Sequence, residues 1–119
     1  MIKFTDNFLK ESKKLSKKFK LLKNDLKNAI KEIEVGNFGT YLGYDLYKKR
    51  VANSSTKTGK SGGFRIIIYQ KIENEIFLIS IYSKTDKETI GDKELKELIR
   101  EIITWFQTNT LLIDYYFKR

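Results

Sequence analysis

Three groups of side chains have the types and spacing to hold a phosphate and stack on a base. Lys48, Lys49 and Arg50 are consecutive on a segment that reads as a strand, so Lys48 and Arg50 share one face and Lys49 takes the other. Lys57 and Lys60 lie in a small, polar loop ending in Gly62-Gly63. Arg65, Ile67 and Tyr69 share a face of the next strand, and Tyr82 and Lys84 stand at the end of the one after it. Paired as a sheet, these strands would bring Lys48, Arg50, Arg65 and Lys84 onto one concave surface. Arginine grips a phosphate through two parallel hydrogen bonds, lysine supplies a point charge, and a tyrosine ring stacks on a base. A solvated strand edge, where lysine discourages edge pairing, uses the same residues, and spacing alone does not separate the two.

Other chemistries are excluded by what is missing. With no Cys there are no disulfides, thiol nucleophiles or thiolate metal sites, and with no His the usual general base and commonest metal ligand are gone. Catalysis has to use Lys, Arg, Tyr, Asp or Glu, or the substrate's own groups. The segment Gly59-Lys60-Ser61 resembles the tail of a phosphate-binding P-loop, but the earlier Gly is missing and a strand rather than a helix follows. The acidic residues are scattered and no pair reads as a metal site, so no cofactor or metal is expected.

The chain has 119 residues, one domain's worth, with 40% hydrophobic and 13% aromatic residues, enough for a compact core. Its net charge of +9 is uneven. Residues 1–60 hold 15 basic and 6 acidic side chains, and residues 61–119 hold 9 of each. Such a surplus suits a polyanionic partner. No run of about 18 apolar residues is present and the start lacks the apolar stretch of a signal peptide, so a cytoplasmic protein without a membrane span is the default expectation.

Residues 2–4 read as a short edge strand. From Asp6 the period turns helical, with Phe8, Ser12, Leu15, Phe19, Leu22, Leu26, Ile30 and Ile33 on one face and lysines over most of the rest. Thr5 or Asp6 is the expected N-cap and Gly36 the stop. A single helix over residues 6–35 would span about 45 Å, long for this size, so a hairpin broken near Lys20–Asn24 is favoured. Gly36, Gly39 and Gly43 punctuate a loop, Asp45–Asn53 reads as a strand, and residues 53–63 as a mobile loop. Phe64–Ile72 and Ile76–Tyr82 read as two strands turning at Glu73-Asn74-Glu75. Asp92 opens a helix that buries Leu95, Leu98, Ile99, Ile102 and Phe106. The apolar stretch from Leu111 to Phe117 packs back on the core or meets a partner. This order argues an α+β class.

The run Leu46-Tyr47-Lys48-Lys49-Arg50-Val51-Ala52, the Lys/Gly-rich loop, Gly62-Gly63-Phe64-Arg65-Ile66-Ile67-Ile68-Tyr69, and Leu78 through Ile81-Tyr82-Ser83-Lys84-Thr85-Asp86-Lys87-Glu88 together resemble the RelE/ParE toxin superfamily, within it the HigB-like toxins. The resemblance implies one domain over residues 1–119, with an N-terminal helical hairpin on a small antiparallel sheet and a C-terminal helix. It implies a toxin of a type II toxin–antitoxin module, a ribosome-dependent endoribonuclease that cuts mRNA. A cognate antitoxin, in this branch usually a small helix-turn-helix protein, neutralises it in a hetero-oligomer. By position the catalytic residues fall on Lys48, Arg50, Arg65 and Lys84, and RNA-binding roles on Lys57, Lys60, Tyr69, Tyr82 and Lys87. Lys49 stands where many relatives carry an aliphatic residue, Thr85 where some carry a second arginine, and the C-terminal catalytic tyrosine of some members has no clear match.

In that chemistry RNA supplies its own nucleophile, the 2′-OH. Arg65 and Arg50 would stabilise the phosphorane, Lys48 would serve as base or as an electrostatic aid, and Lys84 as acid. Tyr69 or Tyr82 would stack on a base or place the sugar. Arg65→Ala is expected to abolish growth arrest with the fold intact. Two rival expectations share the sequence: a ParE-like gyrase inhibitor, and a non-catalytic RNA- or ribosome-binding module.

Overall fold

The computed structural model describes residues 1–60, 62–71, 75–86 and 90–117, with side chains through residue 104. They form two compact units, Met1–Glu88 and Thr89–Arg119. The first holds β1 (Ile2–Phe4), α1 (Asp6–Lys18), α2 (Leu22–Glu34), β2 (Thr40–Gly43), β3 (Leu46–Val51), a short 3-10 turn (Ser54–Thr56), β4 (Phe64–Tyr69) and β5 (Ile76–Ser83). The second is α3 (Asp92–Phe117) with the residues leading into it. The class is α+β, as the element order implies.

The helical stretch is indeed a hairpin. Thr5 caps α1 by accepting from the Phe8 amide at 3.2 Å. The break falls at Phe19–Leu21, overlapping the start of the expected region, where Phe19 leaves helical geometry (ψ 101°). Gly36, at φ 91°, ends α2 by donating to Ile33 at 3.0 Å. Phe8, Phe19, Leu22, Ala29 and Ile33 are buried against Val51, Phe64, Ile66, Ile68, Ile76, Leu78 and Ile81, and this is the core.

The sheet order is β1-β5-β4-β3-β2. It is antiparallel except at its β1 edge, where β1 runs parallel to β5 and pairs Ile2 with Ile76. β5 carries one extra residue, Ile79, between the pairs Ile67–Ser80 and Ile68–Leu78. The start of α1 receives the carbonyls around that bulge: Asn7 donates to the Ile79 carbonyl at 2.9 Å and the Thr5 amide to Leu78 at 3.1 Å. The bulge thus docks α1 on the sheet.

β2 is a correction to the sequence reading, which placed a loop there. Its register with β3 pairs Thr40 with Lys48 and Tyr41 with Tyr47. The turn between them puts Tyr44 (φ 52°) and Asp45 (φ 63°) in the left-handed region, the conformation of a tight type I′ hairpin. Tyr and Asp at these positions carry none of the glycine signal that usually marks such a turn. β4 stops at Tyr69, short of Ile72. The expected turn at 73–75 falls partly outside the described residues.

In the second unit, α3 buries Leu98 and Ile102 and half-buries Leu95 and Ile99, while Lys93, Lys96, Glu97, Arg100 and Glu101 are exposed. This is the expected stripe. Phe106 and the side chains of residues 111–117 lie outside the described ones. No described helix is long and apolar enough to cross a membrane.

Gly63 passes close to β3. A Cβ there would run into the Val51 carbonyl and come within 2.9 Å of the Asn53 amide, both backbone atoms that cannot swing aside. Gly63→Ala should lower unfolding free energy by about 1–3 kcal/mol. Gly59→Ala, with nothing within 4 Å, should stay within about 0.5 kcal/mol of wild type. Denaturant unfolding of the two variants checks the contrast.

Candidate functional site

The site is organised by strand register. Across β3, β4 and β5, Arg50 lies opposite Arg65 and Arg65 opposite Tyr82. Lys48 lies opposite Ile67, two residues along the same face. Lys84 follows β5 directly and its amide donates to the Gly63 carbonyl at 3.0 Å, so it extends the row at the same sheet end. The face carrying Lys48, Arg50 and Arg65 is the one turned away from the helical core. The structure therefore brings these candidates together as the alternation implies.

Two guanidinium groups directly across a strand pair repel one another. Arg50 is exposed, but Arg65 is only 4% exposed. Burial, and then the charge of Arg50, lower the Arg65 pKa from its ordinary value, with Tyr82 acting the other way. Arg65 Nη1 donates to the Lys60 carbonyl at 3.0 Å and the Phe64 carbonyl at 3.1 Å. This corrects the expectation for Arg65→Ala: truncating a buried arginine that satisfies two carbonyls will disturb the fold. Arg65 is a fixed charge set behind Arg50, not a mobile clamp.

Lys49 faces the helices. It is 3% exposed, and its ammonium meets Glu32 Oε2 of α2 at 3.1 Å. That pairing explains how a lysine occupies a position where an aliphatic residue would be expected: the stem packs inside and the charge is neutralised. Glu32 also accepts from Lys60 at 3.2 Å and from Asn37 at 3.1 Å. The Lys49 hydrogen bond, opposed by partial burial and reinforced by Lys60, holds the Glu32 carboxyl below its ordinary pKa.

Residues 53–60, expected to be mobile, are tied to the helical hairpin at three points. The Ser55 hydroxyl accepts from the Leu21 amide at 2.9 Å. Asp25, buried on α2, accepts from the Ser54 amide at 3.0 Å and from the Ser54 hydroxyl. Glu32 takes Lys60. Asp25 and Glu32 were the residues that sequence reasoning missed. Their spacing of seven puts both on one helix face, and that is the signal that could have found them.

Lys57 caps the 3-10 turn in the left-handed region (φ 57°) and is exposed. Tyr69 and Tyr82 are both buried, so neither ring is presented as an open stacking platform. Burial, and then Asp45, raise the Tyr69 hydroxyl pKa. Among the described residues the exposed tyrosines are instead Tyr41, on β2, and Tyr44, in the turn that follows it. Thr85 is engaged with Ser83, hydroxyl to hydroxyl at 2.7 Å. Lys87 lies outside the described residues. Among the described residues no cluster of His, Cys, Asp or Glu could hold a metal ion.

Two outcomes follow from these electrostatics. Arg50→Thr removes the cross-strand repulsion and installs a strand-favouring side chain, and should raise unfolding free energy by about 0.5–1 kcal/mol in low salt. A chemical-denaturation midpoint below wild type would contradict the repulsion. The depressed Glu32 pKa gives a stabilisation present above the unfolded carboxyl value of about 4.3 and lost as pH falls through the lower folded value. Stability measured from pH 6 to pH 3 should therefore fall less steeply for Glu32→Gln than for wild type.

A family model described as the RelE toxin of the RelE/RelB toxin–antitoxin system matches residues 7–111. Comparison with curated proteins gave no match. The matched span includes β3, β4, β5 and every element that holds the cationic row, and the chain belongs to the RelE toxin family.

Proposed function

We propose that this chain is a HigB-like toxin that cuts mRNA on the ribosome, a metal-independent endoribonuclease using the substrate's 2′-OH. On this reading residues 1–119 are one toxin domain, and a family match that runs across the boundary of the two compact units supports it. The partners are the ribosome, its mRNA and a cognate antitoxin, a small helix-turn-helix protein that neutralises the toxin in a hetero-oligomer. The setting is the cytoplasm.

The observation that carries this reading is Arg50 directly opposite Arg65, with Lys48 two residues along the same face. The fold would be more stable without this cluster, and a polyanion is what relieves it. Cleavage requires the 2′-OH to lose its proton, the phosphorane to be stabilised and the 5′-oxygen to be protonated. Arg65, desolvated and fixed, acts on developing charge more strongly than a solvated cation would. Arg50, exposed, contacts the phosphate. Lys48 assists ionisation of the 2′-OH and Lys84 protonates the leaving oxygen. Lys57 and Lys87 follow the RNA backbone, whereas the Lys60 ammonium is taken up by Glu32 on the helical side, and Tyr82 supports Arg65 from the neighbouring strand. With no histidine the intrinsic rate is slow. The ribosome supplies orientation, which can contribute about 7–11 kcal/mol.

The decisive variants leave Arg65 in place. Induction of the wild-type chain should arrest growth and produce new mRNA 5′ ends inside translated codons. Lys48→Ala and Arg50→Thr, expressed to the same level, should arrest growth weakly or not at all and leave mRNA uncut. Full toxicity in both variants would overturn the assignment of the site. Arrest with DNA damage and intact mRNA would identify a gyrase target instead.

A further inference from the structure

Lys60 is bound at both of its ends. Its ammonium sits on Glu32 of α2, 3.2 Å from Oε2, while its backbone carbonyl receives Arg65 Nη1 at 3.0 Å. One residue of the loop thus links a carboxylate on the helical side of the sheet to the buried arginine of the cationic face. The same carboxylate holds Lys49, the residue between Lys48 and Arg50 on β3. We propose that Glu32 is a positioning residue: it aims Arg65 through Lys60 and fixes the height of β3 through Lys49. The inference rests on the ribonuclease reading given above.

The two arms differ in strength. Lys49 is almost fully buried, so a neutral amide at position 32 still accepts from its ammonium although it no longer neutralises it, at a cost to stability rather than a release of the contact. Lys60 is 59% exposed, and an exposed ion pair is marginal against water. Loss of the Glu32 charge therefore frees the Lys60 arm first. The loop remains tied at Ser54 and Ser55, so its start stays docked. What changes is the Lys60 carbonyl, and with it the direction of the buried guanidinium whose charge acts on the phosphorane from behind Arg50. A small misplacement of a group acting on the transition state lowers the maximal rate and leaves ground-state association nearly unchanged.

The test compares wild type, Glu32→Gln, Glu32→Asp and Lys60→Met in two assays. In the first, purified toxin cuts end-labelled mRNA on programmed ribosomes under single-turnover conditions. Glu32→Gln should lower the maximal rate roughly 10- to 100-fold while the half-saturating toxin concentration changes less than about twofold. Lys60→Met should show a similar loss, and Glu32→Asp, which keeps the charge, should recover part of it. In the second, the Arg65 side-chain N–H resonance of the isolated protein should shift in Glu32→Gln and Lys60→Met and stay closer to wild type in Glu32→Asp. An unchanged maximal rate in folded Glu32→Gln, or an unshifted Arg65 resonance, overturns the proposal. If wild type cuts nothing, the ribonuclease reading fails on its own, and the resonance alone decides whether Glu32 aims Arg65.

Discussion

Everything at the cationic face depends on the two-residue repeat of β3. Lys48, Lys49 and Arg50 are consecutive, and a strand must send the middle one the opposite way from its neighbours. Glu32 waits on α2 to receive it. A slip of one residue would turn Lys48 and Arg50 to the helical side and leave Lys49 facing outward, burying two charges where Glu32 is placed to neutralise one. The Lys49–Glu32 contact therefore acts as a register pin. Because β3 in turn pairs with β4, the same pin sets Arg50 against Arg65. A contact on one side of the sheet fixes the arrangement on the other.

That arrangement is costly in itself. A guanidinium pair across adjacent strands, one member buried, is what a sequence shaped for stability alone would avoid. The surrounding structure compensates locally. The Lys60 and Phe64 carbonyls take up Arg65, and the loop that supplies one of them is fastened to the helical hairpin by Asp25, Ser55 and Glu32. The buried Arg65 donor is thus paired while the like charges remain. The helical hairpin serves as a frame for the loop as well as a cover for the sheet. Its nine exposed lysines outnumber its five acidic residues, yet the residues proposed for the chemistry lie on the far face.

Much of this was legible in the residue pattern. The stripe from Phe8 to Ile33 fixes which helix face is buried, and alternation separates Lys48 and Arg50 from Lys49. Elements with long, consistent periods were therefore readable. β2 was not, because Gly36, Gly39 and Gly43 mask a strand of four residues whose turn is made by Tyr44 and Asp45. The loop at 53–60 was misread for a different reason. Its composition is that of mobile chain, and its anchors lie far away in sequence on α2 and the interhelical turn. Burial of Arg65, Tyr69 and Tyr82 was also out of reach, since spacing reports a face but not what covers it.

The central claim is that Lys48, Arg50 and Arg65 act together on RNA through the substrate's own 2′-OH. The chemistry of the cut end tests it most directly. Purified toxin incubated with programmed ribosomes and end-labelled mRNA should leave a 2′,3′-cyclic phosphate or its 3′-phosphate hydrolysis product upstream and a free 5′-hydroxyl downstream. A 3′-hydroxyl upstream with a 5′-phosphate at the downstream end would contradict it.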